Sequence, residues 1–286
     1  MDLTSPRTIK EISNKFDFGF SKGLGQNFLL DKNVLDKIID AAEIKDGVLE
    51  VGPGFGVLTS ELAKNAPKVV SIEIDKRLIP VLDYTLAEFD NVKIIENDIL
   101  KTDLHQLIKD EFGNSQISVA ANLPYYITTP IIARLLEEKL PIDNIVVMVQ
   151  KEVAERICSL PGKKDYGAIS VMCQYYTTPE IVTVVPAGSF MPPPKVDSAV
   201  LKLKIRKEPP CNLTDEKLFF RVIKSAFAQR RKTLENGLSN GLSIDKKTIS
   251  DIFQMCGIPA GIRGEKLSIA EFAAISNELS KLTHKF

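Results

Sequence analysis

Histidine and cysteine are scarce in this chain of 286 residues, and their scarcity limits its chemistry. The four cysteines stand far apart and form no C-x-x-C pair, and the two histidines, His105 and His284, lie in no recognisable catalytic signature. A zinc site needs closely spaced ligands, and a Ser–His–Asp or Cys–His nucleophile needs a suitably placed histidine. We therefore expect no bound metal, and hydrolase and metalloenzyme functions are disfavoured.

Long apolar runs are also missing. No window approaches about 18 consecutive apolar residues, the length of a membrane-spanning helix. The first twenty residues mix Asp, Lys and Glu with scattered apolar residues and lack the continuous apolar stretch of a secretory signal. We therefore expect a cytoplasmic protein with no membrane partner. With 44% hydrophobic and 26% charged residues, the chain is long and apolar enough for one large domain plus a smaller one.

The formal net charge of zero conceals a strong asymmetry. Residues 29–201 carry 17 Lys and Arg against 25 Asp and Glu, a net of −8, whereas residues 202–247 carry 12 against 5, a net of +7. The basic block includes the consecutive residues Arg230, Arg231 and Lys232. Charge of one sign on this scale favours a polyanionic partner, and nucleic acid is the usual one.

Short β-branched runs alternate with helical patterns from about residue 31 to 205. Strands are predicted over 48–51, 69–72, 92–95, 117–120 and 145–149. Helices are predicted near 57–65, 76–89, 102–112 and 130–139. Such alternation is typical of a doubly wound α/β sheet. The runs 181–185 and 198–205 are expected to form an antiparallel pair at its edge, joined by a segment, 186–196, too proline-rich for helix or strand.

A linker at residues 207–210 precedes a helical tail. Helices are predicted over 215–229, 231–238, 245–255 and 269–282. The predicted organisation is thus a flexible N-terminal arm over 1–21, an α/β domain over 22–206 and a small all-α domain over 211–286.

A glycine-rich turn follows the first strong strand and opens a helix. Its sequence is E-V-G-P-G-F-G at residues 50–56, where glycines allow a ligand to approach the backbone. The turn departs from the dinucleotide pattern G-x-G-x-x-G, because Val57 occupies the third glycine position and Pro53 removes a backbone donor. Both departures count against a nicotinamide cofactor.

Polar residues also follow the next strands in order. Glu73 ends the second strand 21 residues after Gly52, where a carboxylate would accept from ribose hydroxyls. Asp98 follows the third strand and Asn122 the fourth. Because the carboxyl ends of parallel strands line one crevice, we expect these residues to meet around a nucleoside-like ligand.

The sequence N-L-P-Y at residues 122–125 indicates the reaction. An exocyclic aromatic amine is a poor nucleophile, since its lone pair is delocalised into the ring. The side-chain oxygen of Asn122 and a nearby main-chain carbonyl could accept from that amine and stabilise the developing positive charge. Tyr125 offers a flat face on which a base drawn out of its helix could stack.

These motifs together resemble those of the ribosomal RNA adenine dimethyltransferases of the KsgA type. The resemblance rests on the turn at 50–56 with Glu73, Asn97, Asp98 and the N-L-P-Y-Y run, and on three further segments: K-G-L-G-Q-N-F-L at 22–29, F-M-P-P-P-K-V-D-S at 190–198 and A-F-A-Q-R-R-K-T-L at 226–234. It covers residues 22–286. It implies a Rossmann-like class I S-adenosylmethionine-dependent methyltransferase sheet with a small C-terminal all-α domain.

The resemblance also implies roles. S-adenosyl-L-methionine would lie in the crevice, with Asn27 and Leu29 at its methionine end, Gly52 beneath it, Glu73 at the ribose, Asp98 at the adenine amine and Asn122 between cofactor and substrate. Tyr125 and Phe190 would sandwich the target adenine. Arg230, Arg231 and Lys232 would dock phosphates of 16S rRNA. The implied reaction is the transfer of four methyl groups to two adjacent adenines near the 3′ end of that RNA in an assembling small ribosomal subunit, by a monomeric enzyme.

Three alternatives remain open. The first is the sister family that dimethylates one adenine of large-subunit rRNA and confers macrolide resistance, although its members are usually shorter and strongly basic. The second is a non-catalytic assembly factor that kept the fold, which the intact N-L-P-Y run disfavours. The third is a nicotinamide dehydrogenase, which the altered glycine turn disfavours.

Overall fold

A computed structural model of the chain describes residues 1–19, 26–229 and 231–283. The chain forms two compact units. The first comprises Met1–Ala154 and Thr178–Ile205, and the second comprises Glu155–Thr177 and Arg206–Phe286.

A mixed sheet forms the centre of the first unit. The strands are β1 (Phe28–Leu29), β2 (Val48–Val51), β3 (Val69–Glu73), β4 (Val92–Glu96), β5 (Ile117–Asn122), β6 (Ile142–Gln150), β7 (Thr177–Val185), β8 (Phe190–Met191) and β9 (Ser198–Ile205). The main sheet has the order β4-β3-β2-β5-β6-β9-β7. The pairs from β4 through β3, β2 and β5 to β6 are all parallel. The next strand, β9, pairs antiparallel with β6. The strand order reverses between β2 and β5, so the crevice that such sheets offer to ligands lies at the carboxyl ends of these strands.

The predicted α/β fold is confirmed by this arrangement. Every residue of β2 and β3 is buried, as expected for parallel strands covered on both faces. The helices of the first unit are α1 (Pro6–Lys15), α2 (Lys32–Ala42), α3 (Val57–Asn65), α4 (Ile79–Thr85), α5 (Leu104–Phe112) and α6 (Thr128–Glu137), and α7 (Lys151–Ile157) carries the chain from the first unit into the second. Aspartates cap two of them, since Asp31 accepts from the backbone N–H of Asn33 and Asp103 from that of Gln106.

The N-terminal residues differ from the flexible arm predicted over residues 1–21. Residues 6–15 form α1, and Ile9 and Ile12 on this helix are buried in the same core as α2 and α3. Leu3 and Phe18 are also buried there. The physical reason is that Ile9 and Ile12 fall on one face once the segment is helical, and burial of that face and of the two flanking side chains orders the segment.

The proline-rich segment also differs from its prediction, which excluded a strand. Phe190 and Met191 form the short β8, which pairs antiparallel with β1 in a separate two-stranded sheet. Leu29 is opposite Phe190 and Phe28 is opposite Met191. The prolines begin only at Pro192, so both residues of β8 keep the backbone N–H that a strand needs.

Helices form the second unit around an apolar core of their own. They are α8 (Ala168–Tyr176), α9 (Glu216–Phe227), α10 (Leu234–Leu242), α11 (Lys246–Cys256) and α12 (Ile269–Thr283). The predicted boundary at residue 206 differs from the observed division, because Tyr166, Val171 and Tyr175 belong to this core. Residues 155–177 therefore join the helical unit, although they precede β9 in the chain.

Candidate active site

A crevice opens at the carboxyl ends of β2, β3 and β5, where the strand order reverses. The predicted site residues that line it are Asn27, Gly52, Glu73, Asp98, Asn122 and Tyr125. They are spread over 99 positions of sequence, from 27 to 125, and the parallel sheet brings them to one edge. Two further predicted residues, Leu29 and Phe190, are not among the described residues that line this crevice.

The glycine turn forms the floor of the crevice. Gly52 and Gly54 adopt φ values of 71° and 60°, in the left-handed region that residues with a side chain rarely occupy. A Cβ on Gly54 would lie 2.5 Å from the ring of Phe28. The turn therefore excludes side chains and leaves the backbone as the surface that faces a ligand.

Glu73 is held in place by the backbone on both sides. One carboxylate oxygen accepts from the N–H of Gly54 at 3.2 Å, and the other accepts from the N–H of Asp75 at 2.8 Å. The side chain is buried, and this burial raises the pKa of the carboxyl, against the opposing effect of the two hydrogen bonds. A fixed carboxylate that lines the crevice suits the two hydroxyls of a ribose.

Asp98 belongs to a loop that is fixed at several points. The backbone N–H of Leu100 donates to its carboxylate at 2.9 Å, and Lys101 lies 3.6 Å from the other oxygen. Arg134 of α6 donates through its guanidinium to the main-chain carbonyls of Ile99 and Thr102. The sequence reasoning missed Arg134, because nothing in a helix 36 residues downstream indicates that it reaches this loop.

Asn122, the last residue of β5, is oriented by the backbone of another segment. Its side-chain NH₂ donates to the main-chain carbonyl of Asn27 at 2.8 Å, next to β1. The side chain of Asn122 makes no other hydrogen bond within the described part of the chain. Gln26, next to Asn27, donates from its side chain to the carboxylate of Asp75 at 3.0 Å. The segment before β1 is therefore bonded to residues at or just after the ends of both β3 and β5. The first four residues of the 22–29 motif, residues 22–25, lie outside the described residues.

Tyr125 is half-buried in the crevice wall. Its hydroxyl lies 2.8 Å from the hydroxyl of Ser198, the first residue of β9, and burial raises the pKa of the phenol. The turn beneath it is fixed, because the carbonyl of Pro124 accepts from the N–H of Ile127 and from the hydroxyl of Thr128. Ser198 is a second residue that the sequence reasoning did not identify, although it ends the 190–198 motif.

The predicted sandwich requires Phe190 and Tyr125 to face each other in the crevice. Phe190, however, is not among the described residues that line it. Its side chain is only 5% exposed and belongs to the apolar core. It lines a separate depression together with Lys10 and Leu30. Pairing of β8 with β1 fixes this direction. Leu29, the partner of Phe190 in that pair, faces a small cavity that also includes Glu50, Gly52 and Asn122.

Glu50 lies below the glycine turn as a fully buried carboxyl. One of its oxygens accepts from the hydroxyls of Thr59 at 2.7 Å and Ser71 at 2.6 Å. Burial raises the pKa of Glu50 to about 7, and the two hydrogen bonds only partly oppose this. The side chain therefore stays protonated across much of the acidic range.

The predicted RNA-binding residues belong to the second unit. Arg231 and Lys232 are exposed, and Arg230 lies outside the described residues. Lys217, Arg221 and Lys224 are exposed at positions four and three residues apart on α9, so they share one helix face. None of these five described side chains forms an ion pair within residues 1–19, 26–229 and 231–283.

Two other features are absent from the described residues. No group of three or more His, Cys, Asp or Glu side chains could hold a metal ion. No helix has both the length and the apolar character needed to cross a membrane.

The chain is similar to known proteins over nearly its whole length. The chain matches the family described as ribosomal RNA adenine dimethylase over residues 18–281. It is 52% identical over 284 residues, 97% of each chain, to ribosomal RNA small subunit methyltransferase A of Bacillus cytotoxicus, and 51% identical over 99% of each chain to that of Bacillus mycoides.

Two crystal structures are similar at the level of the fold. A dimethyladenosine transferase from Plasmodium falciparum is 28% identical with a TM-score of 0.75, and the alignment covers 89% of this chain and 98% of the other. The 23S rRNA methyltransferase ErmE is 26% identical with a TM-score of 0.67, over 89% and 100% of the two chains. On its sequence match and its sheet, the chain belongs to the ribosomal RNA adenine dimethylase family.

Proposed function

We propose that this protein transfers methyl groups from S-adenosyl-L-methionine to the exocyclic amines of two adjacent adenines near the 3′ end of 16S rRNA. The single observation that carries the chemistry is the hydrogen bond from Asn122 to the Asn27 carbonyl. It commits the NH₂ of the amide to the protein and leaves the oxygen as an acceptor in the wall of the crevice. The choice of RNA follows the small-subunit relatives, which are 51–52% identical over nearly the whole chain.

The crevice fits this cofactor by the chemistry of its donors and acceptors. Glu73 presents a fixed carboxylate to ribose hydroxyls, and Asp98 presents an acceptor to an adenine amine. The floor at Gly52 and Gly54 has no side chains, so the ligand can lie against the backbone. When bound, S-adenosyl-L-methionine supplies an electrophilic methyl group on a sulfonium.

The protein's own residues prepare the nucleophile. The oxygen of Asn122 and a nearby main-chain carbonyl accept from the adenine amine, which favours a pyramidal nitrogen and stabilises the developing positive charge. Tyr125, held by Ser198, supports the ring of the base. The amine becomes acidic on methylation, so solvent can take its proton and no general base is needed. Catalysis is then mainly positioning and hydrogen bonding.

The helical unit supplies the proposed docking surface for RNA. Arg231 and Lys232, with the α9 face of Lys217, Arg221 and Lys224, present positive charge that no acidic side chain of the described residues neutralises. Phosphate groups of rRNA are the complementary partner. The substrate is an assembling small ribosomal subunit, so the enzyme acts in the cytoplasm, and it acts as a monomer.

The test uses tritiated S-adenosyl-L-methionine with small ribosomal subunits that lack these methyl groups, and large subunits in parallel. We expect label in the small-subunit RNA, approaching four methyl groups per particle. Label confined to large subunits would instead support the specificity named for ErmE, to which this chain is similar in fold. Cofactor binding without any transfer would support an assembly factor that does not catalyse.

A further inference from the structure

Tyr126 is an exposed aromatic residue at the edge of the crevice. It lines the crevice, yet 55% of its surface is exposed. The adjacent Tyr125 differs, since it is half-buried and its hydroxyl contacts Ser198. Tyr126 forms no hydrogen bond or ring contact within the described part of the chain. The ring therefore has no polar or aromatic partner among the described residues.

The backbone on both sides of Tyr126 is nonetheless fixed. The N–H of Leu123 donates to Met148 of β6 at 3.2 Å, and the N–H of Ile127 donates to the carbonyl of Pro124 at 3.2 Å. Thr128, which begins α6, is buried. The ring is thus presented to solvent from a turn that one local and one long-range hydrogen bond hold in place.

A second exposed apolar side chain lines the same crevice. Ile74 follows the ribose-binding candidate Glu73 and is 54% exposed. Exposed apolar surface at a binding crevice costs free energy in the free protein and is a frequent sign of a contact made on binding. The ring of Tyr126 offers a flat face for such a contact.

The proposed substrate contains a group that matches this face. The two target adenines are adjacent nucleotides, so a base held at Tyr125 has a covalently attached neighbour close by. The Cα atoms of Tyr125 and Tyr126 are about 3.8 Å apart, as in any trans peptide. Every base has a π-face that can stack on an aromatic side chain, whatever its hydrogen-bonding pattern.

We propose that Tyr126 is a substrate-binding residue that stacks on the adenine adjacent to the one held at Tyr125. This inference rests on the proposed function, which supplies two adjacent adenines as the substrate. The two tyrosines then hold a dinucleotide, and Tyr126 steadies one adenine while its neighbour reacts.

The test compares Tyr126→Ala and Tyr126→Phe with the unmodified protein on small subunits that lack the methyl groups. Mass spectrometry of the rRNA fragment reports methyl groups at each adenine, titration of the subunit gives kcat/KM, and calorimetry gives the Kd for S-adenosyl-L-methionine. We expect Tyr126→Ala to lower kcat/KM for the subunit about tenfold, an effect within the range for one base stack. The cofactor Kd stays within about twofold, and Tyr126→Phe retains nearly full activity because the ring remains.

A control at a tyrosine outside the described lining of the crevice is Tyr84→Ala. Tyr84 is 39% exposed, lies outside the described lining of the crevice and has the ammonium of Lys15 3.4 Å from its ring centroid. We expect this variant to methylate subunits normally. Because the Tyr126 ring is exposed, its removal leaves the unfolding temperature unchanged, which separates the expected loss from a folding defect.

Three results would overturn the inference while the proposed function stands. Tyr126→Ala could methylate both adenines at the normal rate, its cofactor Kd could weaken as much as kcat/KM, or Tyr126→Phe could be as impaired as Tyr126→Ala. The second would assign the ring to the cofactor and the third would assign the role to the hydroxyl. If the unmodified protein itself transfers no methyl group to small subunits, the proposed function fails, and this inference fails with it.

Discussion

The side-chain NH₂ of Asn122 lies 2.8 Å from the main-chain carbonyl oxygen of Asn27, 95 residues earlier in the chain. A carbonyl can only accept, so the contact sets the orientation of the Asn122 amide. The remaining oxygen is an acceptor of the kind that the exocyclic amine of adenine requires. One hydrogen bond thereby couples the segment before β1 to the residue proposed to bind the nucleophile.

Replacement of Asn122 separates catalysis from cofactor binding. We expect Asn122→Ala to abolish methyl transfer, because the acceptor is lost, and to change the Kd for S-adenosyl-L-methionine by less than about tenfold. Asn122→Asp keeps the size but has no NH₂ to donate, and its carboxylate would face the Asn27 carbonyl, so we expect it to be inactive too. Transfer assays and calorimetry measure the two effects. Asn65→Ala, at an exposed asparagine, serves as the control, and near-normal turnover by Asn122→Ala would refute the role.

Arg134 is expected to support cofactor binding without contacting the cofactor. Its guanidinium fixes the carbonyls of Ile99 and Thr102, and these residues flank the loop that follows Asp98. We expect Arg134→Gln to raise the KM for S-adenosyl-L-methionine several-fold, with kcat at saturating cofactor little changed. Arg134→Lys should rescue only in part, because an ammonium lacks the planar fork of donors.

The adenosine half of the cofactor provides a sharper readout of Arg134. Methylthioadenosine, which lacks the methionine end, should lose affinity for Arg134→Gln by the same factor as the whole cofactor. A loss seen with the whole cofactor but absent with methylthioadenosine would contradict a role at the adenine. Thermal unfolding of each variant shows whether the fold is intact.

Glu50 is expected to make stability depend on pH. Its pKa is about 7 in the folded protein against 4.5 for an ordinary glutamate, so between these values the unfolded chain ionises while the folded chain stays protonated. The unfolded state then binds fewer protons, and the free energy of unfolding falls as the pH rises through this window. Glu50→Gln removes this loss. Its free energy of unfolding should therefore rise relative to that of the unmodified protein from pH 4.5 to 7, by at most about 3 kcal/mol.

A control with the opposite sign is available in Glu43. Its hydrogen bond with Lys202 lowers the pKa of this exposed carboxyl, so its contribution to stability is present above its ordinary value and is lost as the pH falls. Glu43→Gln should therefore cost a few tenths of a kcal/mol near neutral pH and less in acid. Denaturant unfolding at several pH values measures both variants. A stability difference for Glu50→Gln that does not vary with pH would show that folding does not raise the pKa of Glu50.

The basic residues are expected to govern the salt dependence of subunit binding. Replacing Arg230, Arg231 and Lys232 by Ala should weaken binding and flatten the slope of log affinity against log salt by about two to three units. The same replacement of Lys217, Arg221 and Lys224 tests the α9 face separately. Arg7, an exposed arginine paired with Glu11, provides a control substitution. An unchanged slope would mean that these residues belong to an ordinary solvated surface.

The strands and the glycine turn were predictable because their signals are local. Runs of β-branched residues bounded by turn residues gave β2 to β5 nearly to the residue, and the strand order then placed Glu73, Asp98 and Asn122 at one edge. Gly52 and Gly54 predict a turn with positive φ, since few other residues adopt positive φ without strain. Most of the cofactor crevice therefore followed from spacing and from the rule that parallel strands end together.

Contacts between distant segments were not predictable in this way. Nothing near Phe190 in sequence indicates that β1 pairs with β8 and buries the ring, and nothing near Arg134 indicates that it reaches Ile99. The burial of the apolar residues of α1 depends on a core built by distant segments, and so does the burial of Tyr166 and Tyr175 in the helical unit. The sequence by itself determined the chemistry of the crevice, because that chemistry depends on residue type and strand order. The tertiary structure alone decided which side chains are buried and how Asn122 is oriented, because both depend on packing between segments far apart in the chain.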